Sequence, residues 1–430
     1  MNTYQVASLV LLFLALAFAI WRRVNIGLLG FGAAFVMVLI SAVTVKQAYL
    51  YFPASIFTLL VGVSLLFTHL EKSGGLTWFV NKVYGLIGER TVLIPWAGFA
   101  LGAAVSSVGA LSTAPITLLV PIVAALSRRH PPLFFISEMA VIVGANVAAL
   151  SPFNPCGSVI LEAARIANVQ YAPWTVWAIG MVIAFAVVLV FQVVFSAAHL
   201  YEADAESGIR AAGTRGFLLI RASAGGDEAG ATLQPAYALC SGLAIAVFVG
   251  LVIFAGADVG LTSLSLALLL LMIFPGKSSY FFRKVPWNAV IVLCGLLVFI
   301  GTMQKVGTMD AIQSALLALT SSQVLLIFVI AYLTAILCNI ESSTIGVIGL
   351  VMPMLFAIMG HSQDLTLIIA AVAAPATLSV VNPIHAAGTL VVGYADETQQ
   401  NALFRRSLIL AGLLALVVPG VAAILPAVLL

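Results

Sequence analysis

Residues 150–155 read Leu-Ser-Pro-Phe-Asn-Pro and residues 378–383 read Leu-Ser-Val-Val-Asn-Pro, one Leu-Ser-x-x-Asn-Pro pattern repeated 228 positions apart (378 − 150). Proline donates no backbone hydrogen bond and disfavours helix in the residue before it, so a helix entering either copy breaks near Asn154 or Asn382. Inside an apolar environment such a break is tolerated only where it is buried in protein or lines a polar cavity. Half-helix N-termini then face an anion. Unwound carbonyls, with Ser151 and Ser379 beside them, coordinate a cation. A single copy would read as a packing kink; two copies at matched places point to a binding site.

Two further clusters carry small polar groups. The first holds Ser106, Ser107, Gly109, Ser112 and Thr113, and the second Asn339, Glu341, Ser342, Ser343 and Thr344. Apart from Glu341, these hydroxyls and amides bind a carboxylate or sodium without a permanent buried charge, although Ser and Thr are also ordinary helix-packing residues. Glu341 is either the site of a coupling cation or proton, or a structural acid paired with a neighbour. His385, two residues after the second Pro, either titrates and contacts a substrate carboxylate or is a satisfied structural histidine. Glu138, Glu162 and His69 lie near span ends and read as interfacial. Neither cluster contains Arg or Lys, so a small dianion there needs helix dipoles, hydroxyls and a co-bound cation to offset its charge.

The elements that must position these residues are membrane helices. The chain is 63% hydrophobic and 8% charged, with a mean hydropathy of +1.19, far above the roughly half-apolar composition of soluble domains. Apolar spans fall near 4–20, 25–43, 53–70, 133–166, 172–200, 235–255, 258–275, 287–303, 364–395 and 404–429. The tracts 91–127 and 323–359 exceed 35 residues, and a straight helix of that length, at about 1.5 Å per residue, would overrun a bilayer core of about 30 Å. Each must turn back as a re-entrant hairpin, with the polar cluster at its tip. The expected fold is therefore an all-α integral membrane protein of about ten transmembrane helices, two re-entrant hairpins and two broken helices.

Internal matches show a repeat. Pro53, Gly62, Lys72 and Gly74 recur as Pro286, Gly295, Lys305 and Gly307 at an offset of 233, and Pro121 recurs as Pro353 at 232. Five crossings per half is an odd number, so the second half is inverted relative to the first. The expected units are 1–200 and 235–430, joined by a polar cytoplasmic linker at 201–234 that carries Glu202, Asp204, Glu206, Arg210, Arg215 and Arg221. Apolar residues at helical spacing, Leu76–Ile87 and Met309–Leu319, predict an interfacial helix after each third span. With the N-terminus outside, fifteen of the eighteen basic residues fall in the cytoplasm, leaving Lys46, Arg165 and Lys305 outside. Both termini are then external. The net charge of +3 is a topological signal rather than a sign of nucleic-acid binding.

The four cysteines lack metal-ligand spacing and read as packing residues. The chain has no metal cluster and no nucleophile paired with a base, which argues against an enzyme and against a cofactor beyond a coupling sodium or proton.

The stretches NIGLLGFGAAFV at 25–36 and LIPWAGFALGAAVSSVGALS at 93–112, with the LSPFNP region, resemble the ion transporter superfamily, and within it the bacterial malonate/dicarboxylate carriers. The related divalent anion/sodium symporters carry Ser-Asn-Thr at each hairpin tip. Here the nearest matches, Leu111-Ser112-Thr113 and Ser342-Ser343-Thr344, lack the central Asn. The resemblance implies a dimeric secondary carrier of the bacterial inner membrane with an elevator-like transport domain, and a small malonate-like dicarboxylate as cargo. The expected substrate-binding residues are Ser112, Thr113, Asn154, Ser343, Thr344, Asn382 and His385. The expected cation-binding residues are Ser107, Gly109, Ser151, Asn339, Glu341 and Ser379. A carrier of another organic or inorganic anion and a passive anion channel are the alternatives.

Overall fold

The computed structural model describes residues 2–22, 24–87, 91–127, 131–200, 233–319, 322–340, 344–360, 362, 364–383, 385–394 and 397–429. Two successive series of ten helices fill it. The first comprises α1 (Thr3–Arg22), α2 (Ile26–Ile40), α3 (Val45–Leu50), α4 (Ala54–Lys72), α5 (Gly75–Ile87), α6 (Ile94–Ser107), α7 (Thr113–Ser127), α8 (Pro131–Ala148), α9 (Pro155–Ile166) and α10 (Pro173–Leu200). The second comprises α11 (Pro235–Ala255), α12 (Val259–Ile273), α13 (Ser278–Lys284), α14 (Trp287–Lys305), α15 (Thr308–Leu319), α16 (Gln323–Ile340), α17 (Thr344–Met359), α18 (Leu365–Leu378), α19 (Ala386–Tyr394) and α20 (Glu397–Leu429). The tracts at 91–127 and 323–359 form the hairpins α6–α7 and α16–α17, and each long span that carries the hexapeptide is split, into α8–α9 and α18–α19. The interfacial segments are the helices α5 and α15. The short helices α3 and α13 are additions that the apolar pattern does not mark, because six or seven residues hold too few turns to show a period. The linker 201–234 falls outside the described residues except for its last two positions.

Close glycine crossings set the relation between the halves. A Cβ on Gly27 would stand 2.0 Å from the Ile291 carbonyl oxygen, one on Gly30 2.8 Å from the Gly295 carbonyl, and one on Gly295 1.8 Å from the Gly27 carbonyl oxygen. Contact therefore advances along α2 and α14 in the same direction, and the helices run parallel. Their starts are level, because the Asn25 amide, which caps α2 by accepting from Gly27 N–H and Leu28 N–H, donates to Asn288 Oδ1 at 2.6 Å. The partner crossing is α4 on α12. There a Cβ on Gly62 would meet Ser263 and the Gly260 carbonyl oxygen within 2.7 Å, and one on Gly260 would meet Leu59 N at 2.8 Å, again in parallel. Gly27 and Gly260 are 233 residues apart, as are Gly62 and Gly295, so the two crossings are one contact used twice. Within a half, α2 and α4 are successive crossings and run oppositely. Since α14 is the counterpart of α4 yet lies parallel to α2, the halves are inverted.

Small residues allow this approach because, among helices surrounded by lipid, close van der Waals packing replaces the hydrophobic drive available in water. Gly74 and Gly307, also 233 apart, take φ of +73° and +76°. Glycine adopts that left-handed region without penalty, and each turns the chain from a third span into its interfacial helix. Five stretches of described helix are long and apolar enough to cross a bilayer. Half-helices and hairpin arms make up much of the rest.

A side chain at the crossing has no space to enter. We expect Gly27→Val to cost about 3 kcal/mol or more and to lower the thermal unfolding midpoint in detergent. Gly32→Val, at a glycine with nothing within 4 Å, should leave that midpoint unchanged.

Candidate functional site

The first hairpin and the first broken span are bound together at their tips. Asn154 ends the unwound stretch between α8 and α9 and is 1% exposed. Its side-chain oxygen caps α9 by accepting from Cys156 N–H at 3.1 Å. Its amide nitrogen donates to the Ser106 carbonyl at 2.9 Å and to the Ala110 carbonyl at 2.7 Å, the two sides of the α6–α7 turn. Ser151 Oγ donates to the Ser107 carbonyl at 2.6 Å, and Trp177 of α10 donates its indole N–H to Ser107 Oγ at 3.1 Å. Three groups on the broken span and α10 thus hold the carbonyls and hydroxyl left over where α6 ends. Gly109 makes the turn with φ +125°, and a Cβ there would stand 2.8 Å from Val63 Cγ1.

The second half repeats the arrangement with changes. Asn382 donates to the Asn339 carbonyl at 2.9 Å, and Ser379 Oγ lies 3.5 Å from the Ala335 carbonyl, separated by 44 residues as Ser151 is from Ser107. Asn339 turns its own amide back to the Ala335 carbonyl at 3.0 Å. The second half-helix begins later, at Ala386, so His385, not Asn382, stands directly before it, as Asn154 stands before α9. Thr389 Oγ1 donates to the Pro383 carbonyl at 2.9 Å, matching Ser158 Oγ to the Pro152 carbonyl at 2.8 Å.

Between the tips lies a small cavity of about 30 Å³, lined by Leu111, Ser112, Asn146, Ala149, Asn154, Cys156, Thr344, Ile345 and Thr377. Of the sequence-predicted residues, Ser112, Asn154 and Thr344 reach it. Thr113 is exposed beside it, and Ser107, Ser151, Asn339, Asn382 and Ser379 hold the surrounding backbone. Glu341, Ser342 and Ser343 lie outside the described residues. Sequence reasoning missed Asn146, Thr377 and the cavity position of Cys156. Asn146 donates to the Val380 carbonyl at 3.2 Å and so ties α8 to the break of the opposite half. A lone amide two turns before a break was the available signal.

Three helix N-termini meet at this cavity. Ser112 immediately precedes α7, Asn154 and Cys156 flank the first residue of α9, and Thr344 and Ile345 open α17. No lining residue carries a formal charge. The arrangement offers the positive ends of helix dipoles, hydroxyls and the Asn146 amide, which suit an anion without a fixed cation; the first N–H groups of α9 are already taken by Asn154 Oδ1 and the Ala149 carbonyl.

The acids and histidine read as interfacial are packed in protein. Glu138 is 0% and His69 1% exposed, and His69 Nδ1 lies 2.6 Å from the Tyr237 hydroxyl. Helices folding over the span ends bury them: α5 and α6 on one side, and α11 and α13 on the other. Glu162 is 8% exposed and accepts from Arg165 Nε at 2.9 Å, one turn along α9.

Removing the Asn154 amide leaves two buried carbonyls open, each costing about 1–3 kcal/mol. Asn154→Ala should remain folded in detergent with a lowered melting temperature and should lose uptake. Wild-type uptake in that variant would show that the tie between hairpin and break is dispensable.

Comparison with known proteins agrees with this architecture. The model of the CitMHS citrate transporter family matches residues 16–381. An uncharacterized transporter of Methanocaldococcus jannaschii is 27% identical over 155 residues, and that match spans 35% of each protein's length. The crystal structure of the Alcanivorax borkumensis YdaH transporter, described as having an unusual topology, superposes with a TM-score of 0.58 at 15% identity over 88% of this chain and 86% of that one. The last likeness establishes the fold alone. The family match covers most of the sequence, including both hairpins and the first break, and the chain belongs to the CitMHS citrate transporter family.

Proposed function

We propose that the protein is a cation-coupled secondary carrier of a small di- or tricarboxylate, which it exposes alternately to the two sides of a bacterial cytoplasmic membrane. The observation that carries this reading is the convergence of three helix N-termini on an uncharged cavity between two hairpin tips. Each helix end contributes at most about 2 kcal/mol to an anion in partly buried geometry, whereas desolvating each charge costs several kcal/mol. Helix ends and hydroxyls therefore fall short for a doubly or triply charged cargo. A co-bound sodium or proton supplies the difference, which makes coupling a requirement of the site. Malonate is the cargo suggested by the resemblance of the sequence and citrate the one in the family description. The external termini and cytoplasmic linker follow from the basic-residue bias.

The test is uptake of radiolabelled citrate and of malonate into proteoliposomes under separately imposed sodium and proton gradients. Accumulation of one cargo, driven by one gradient, is expected. Ser112→Ala and Thr344→Ala should each raise KM about tenfold, equivalent to about 1.4 kcal/mol. Downhill flux of either anion with no uphill accumulation under any gradient would contradict coupling.

A further inference from the structure

The most unusual group outside the cavity is Glu138, on α8. It is fully buried, and among the described residues neither carboxyl oxygen has a hydrogen-bond partner. Other buried polar atoms nearby are likewise unpartnered: the Tyr84 hydroxyl on α5 and the neighbouring Ser137 Oγ. The Tyr84 hydroxyl and the backbone of Ser137, the residue before Glu138, meet at Gly98 of α6, where an added Cβ would stand 3.2 Å from the Tyr84 hydroxyl, 3.6 Å from the Ser137 carbonyl and 2.7 Å from Val141 Cγ2. Burial first, and then the Glu138 carboxylate, push the Tyr84 hydroxyl above its ordinary range.

No described cation balances this acid. The helices packed on α8 are α6, α7, α10, α18 and α19. Their titratable side chains are His199, at the end of α10, and Tyr394, at the end of α19. Lys82 of α5 is exposed and lies 5.6 Å from the Trp78 ring centroid. Asp364 immediately precedes α18. Glu89, Arg90, Arg128, Arg129 and His130 lie outside the described residues. A carboxyl so placed must be neutralised by a proton or left as an unpaired charge in an apolar interior, which is prohibitive.

We propose that Glu138 is the proton-carrying site of the transport cycle, with Tyr84 as its positioning partner, separate from the substrate cavity. The inference rests on the carrier reading and assigns a residue to it. One proton binds one carboxylate oxygen to give the neutral acid and leaves from the same oxygen on the opposite side. The link to substrate runs along α8. Residues 138, 141, 145 and 149 share one helical face, and Ala149 lines the cavity about 16 Å away at 1.5 Å per residue. That face packs on α6: a Gly102 Cβ would meet the Val141 carbonyl at 2.9 Å. α6 carries the first hairpin tip. The neutral acid permits the closed α6–α8 packing, and an ionised one requires it to loosen and admit water, so proton occupancy biases whether the hairpin covers the cavity.

The discriminating variant is Glu138→Gln, which has the shape of the neutral acid. In proteoliposomes it should lose about tenfold or more of proton-driven citrate or malonate accumulation while keeping exchange of the same anion at equal pH within about twofold. In wild-type protein the infrared carbonyl stretch of a protonated carboxylic acid should titrate with pH, and this band should be missing from Glu138→Gln. Wild-type accumulation by the variant, an equal loss of exchange and accumulation, or wild-type uptake driven by sodium alone would each overturn the proposal. If the wild type moves neither anion, the carrier reading fails and this proposal with it, whereas a wild type that accumulates either anion yet shows no such titrating band overturns this proposal alone. Should Glu138→Gln not fold, Tyr84→Phe is expected to shift the pH midpoint of the band, and an unmoved midpoint overturns the proposal.

Discussion

A helix broken inside an apolar interior leaves carbonyls and N–H groups that no water can reach, and the rest of this structure depends on satisfying them with protein groups. Asn154 is the central case. One amide caps the helix that starts after the break and closes the two carbonyls of the hairpin turn facing it. Ser151 and Trp177 complete the set on the Ser107 carbonyl and hydroxyl. These bonds fix the hairpin tip against the break, so the helix N-termini around it point at a common cavity rather than at lipid. The cavity is therefore a consequence of how the backbone is satisfied, and no arginine or lysine lines it.

The two halves begin from one plan and diverge around the cavity. Away from the cavity the copies agree closely: paired glycine crossings, paired left-handed glycines, and a polar cap, Asn25 or Asp258, at the start of each second span. Near the cavity they differ. Asn154 caps its half-helix, while the second half-helix starts one turn later with His385 in front of it. Asn146 reaches across to Val380, and the position 228 residues later is Ala374, which has no polar side chain. The frame thus repeats, while the residues around the cavity do not.

Much of the fold was legible because membrane helices answer to length. Tracts longer than the bilayer is thick had to fold back, prolines in matched hexapeptides had to break their spans, and the constant offset of 233 marked the repeat. The site was legible only in part. Ser112, Asn154 and Thr344 could be named because they sit at turns that the chain itself declares. Thr377 and Cys156 join the cavity through packing between segments far apart in sequence, and no local pattern carries that. Glu138 was read from its place near a span end, and its complete burial, which no local pattern shows, comes from the helices packed around it.

The central claim is that the cavity between the hairpin tips and the first break holds the transported anion. It is tested most directly by placing Ser112→Cys in a background where Cys156, Cys240, Cys294 and Cys338 are replaced by Ala, and following maleimide labelling in proteoliposomes. Saturating transported anion, with its coupling ion present, is predicted to slow labelling of position 112 severalfold. An unrelated anion of equal charge should have no effect. A labelling rate unchanged by an anion that this same variant transports would contradict the account.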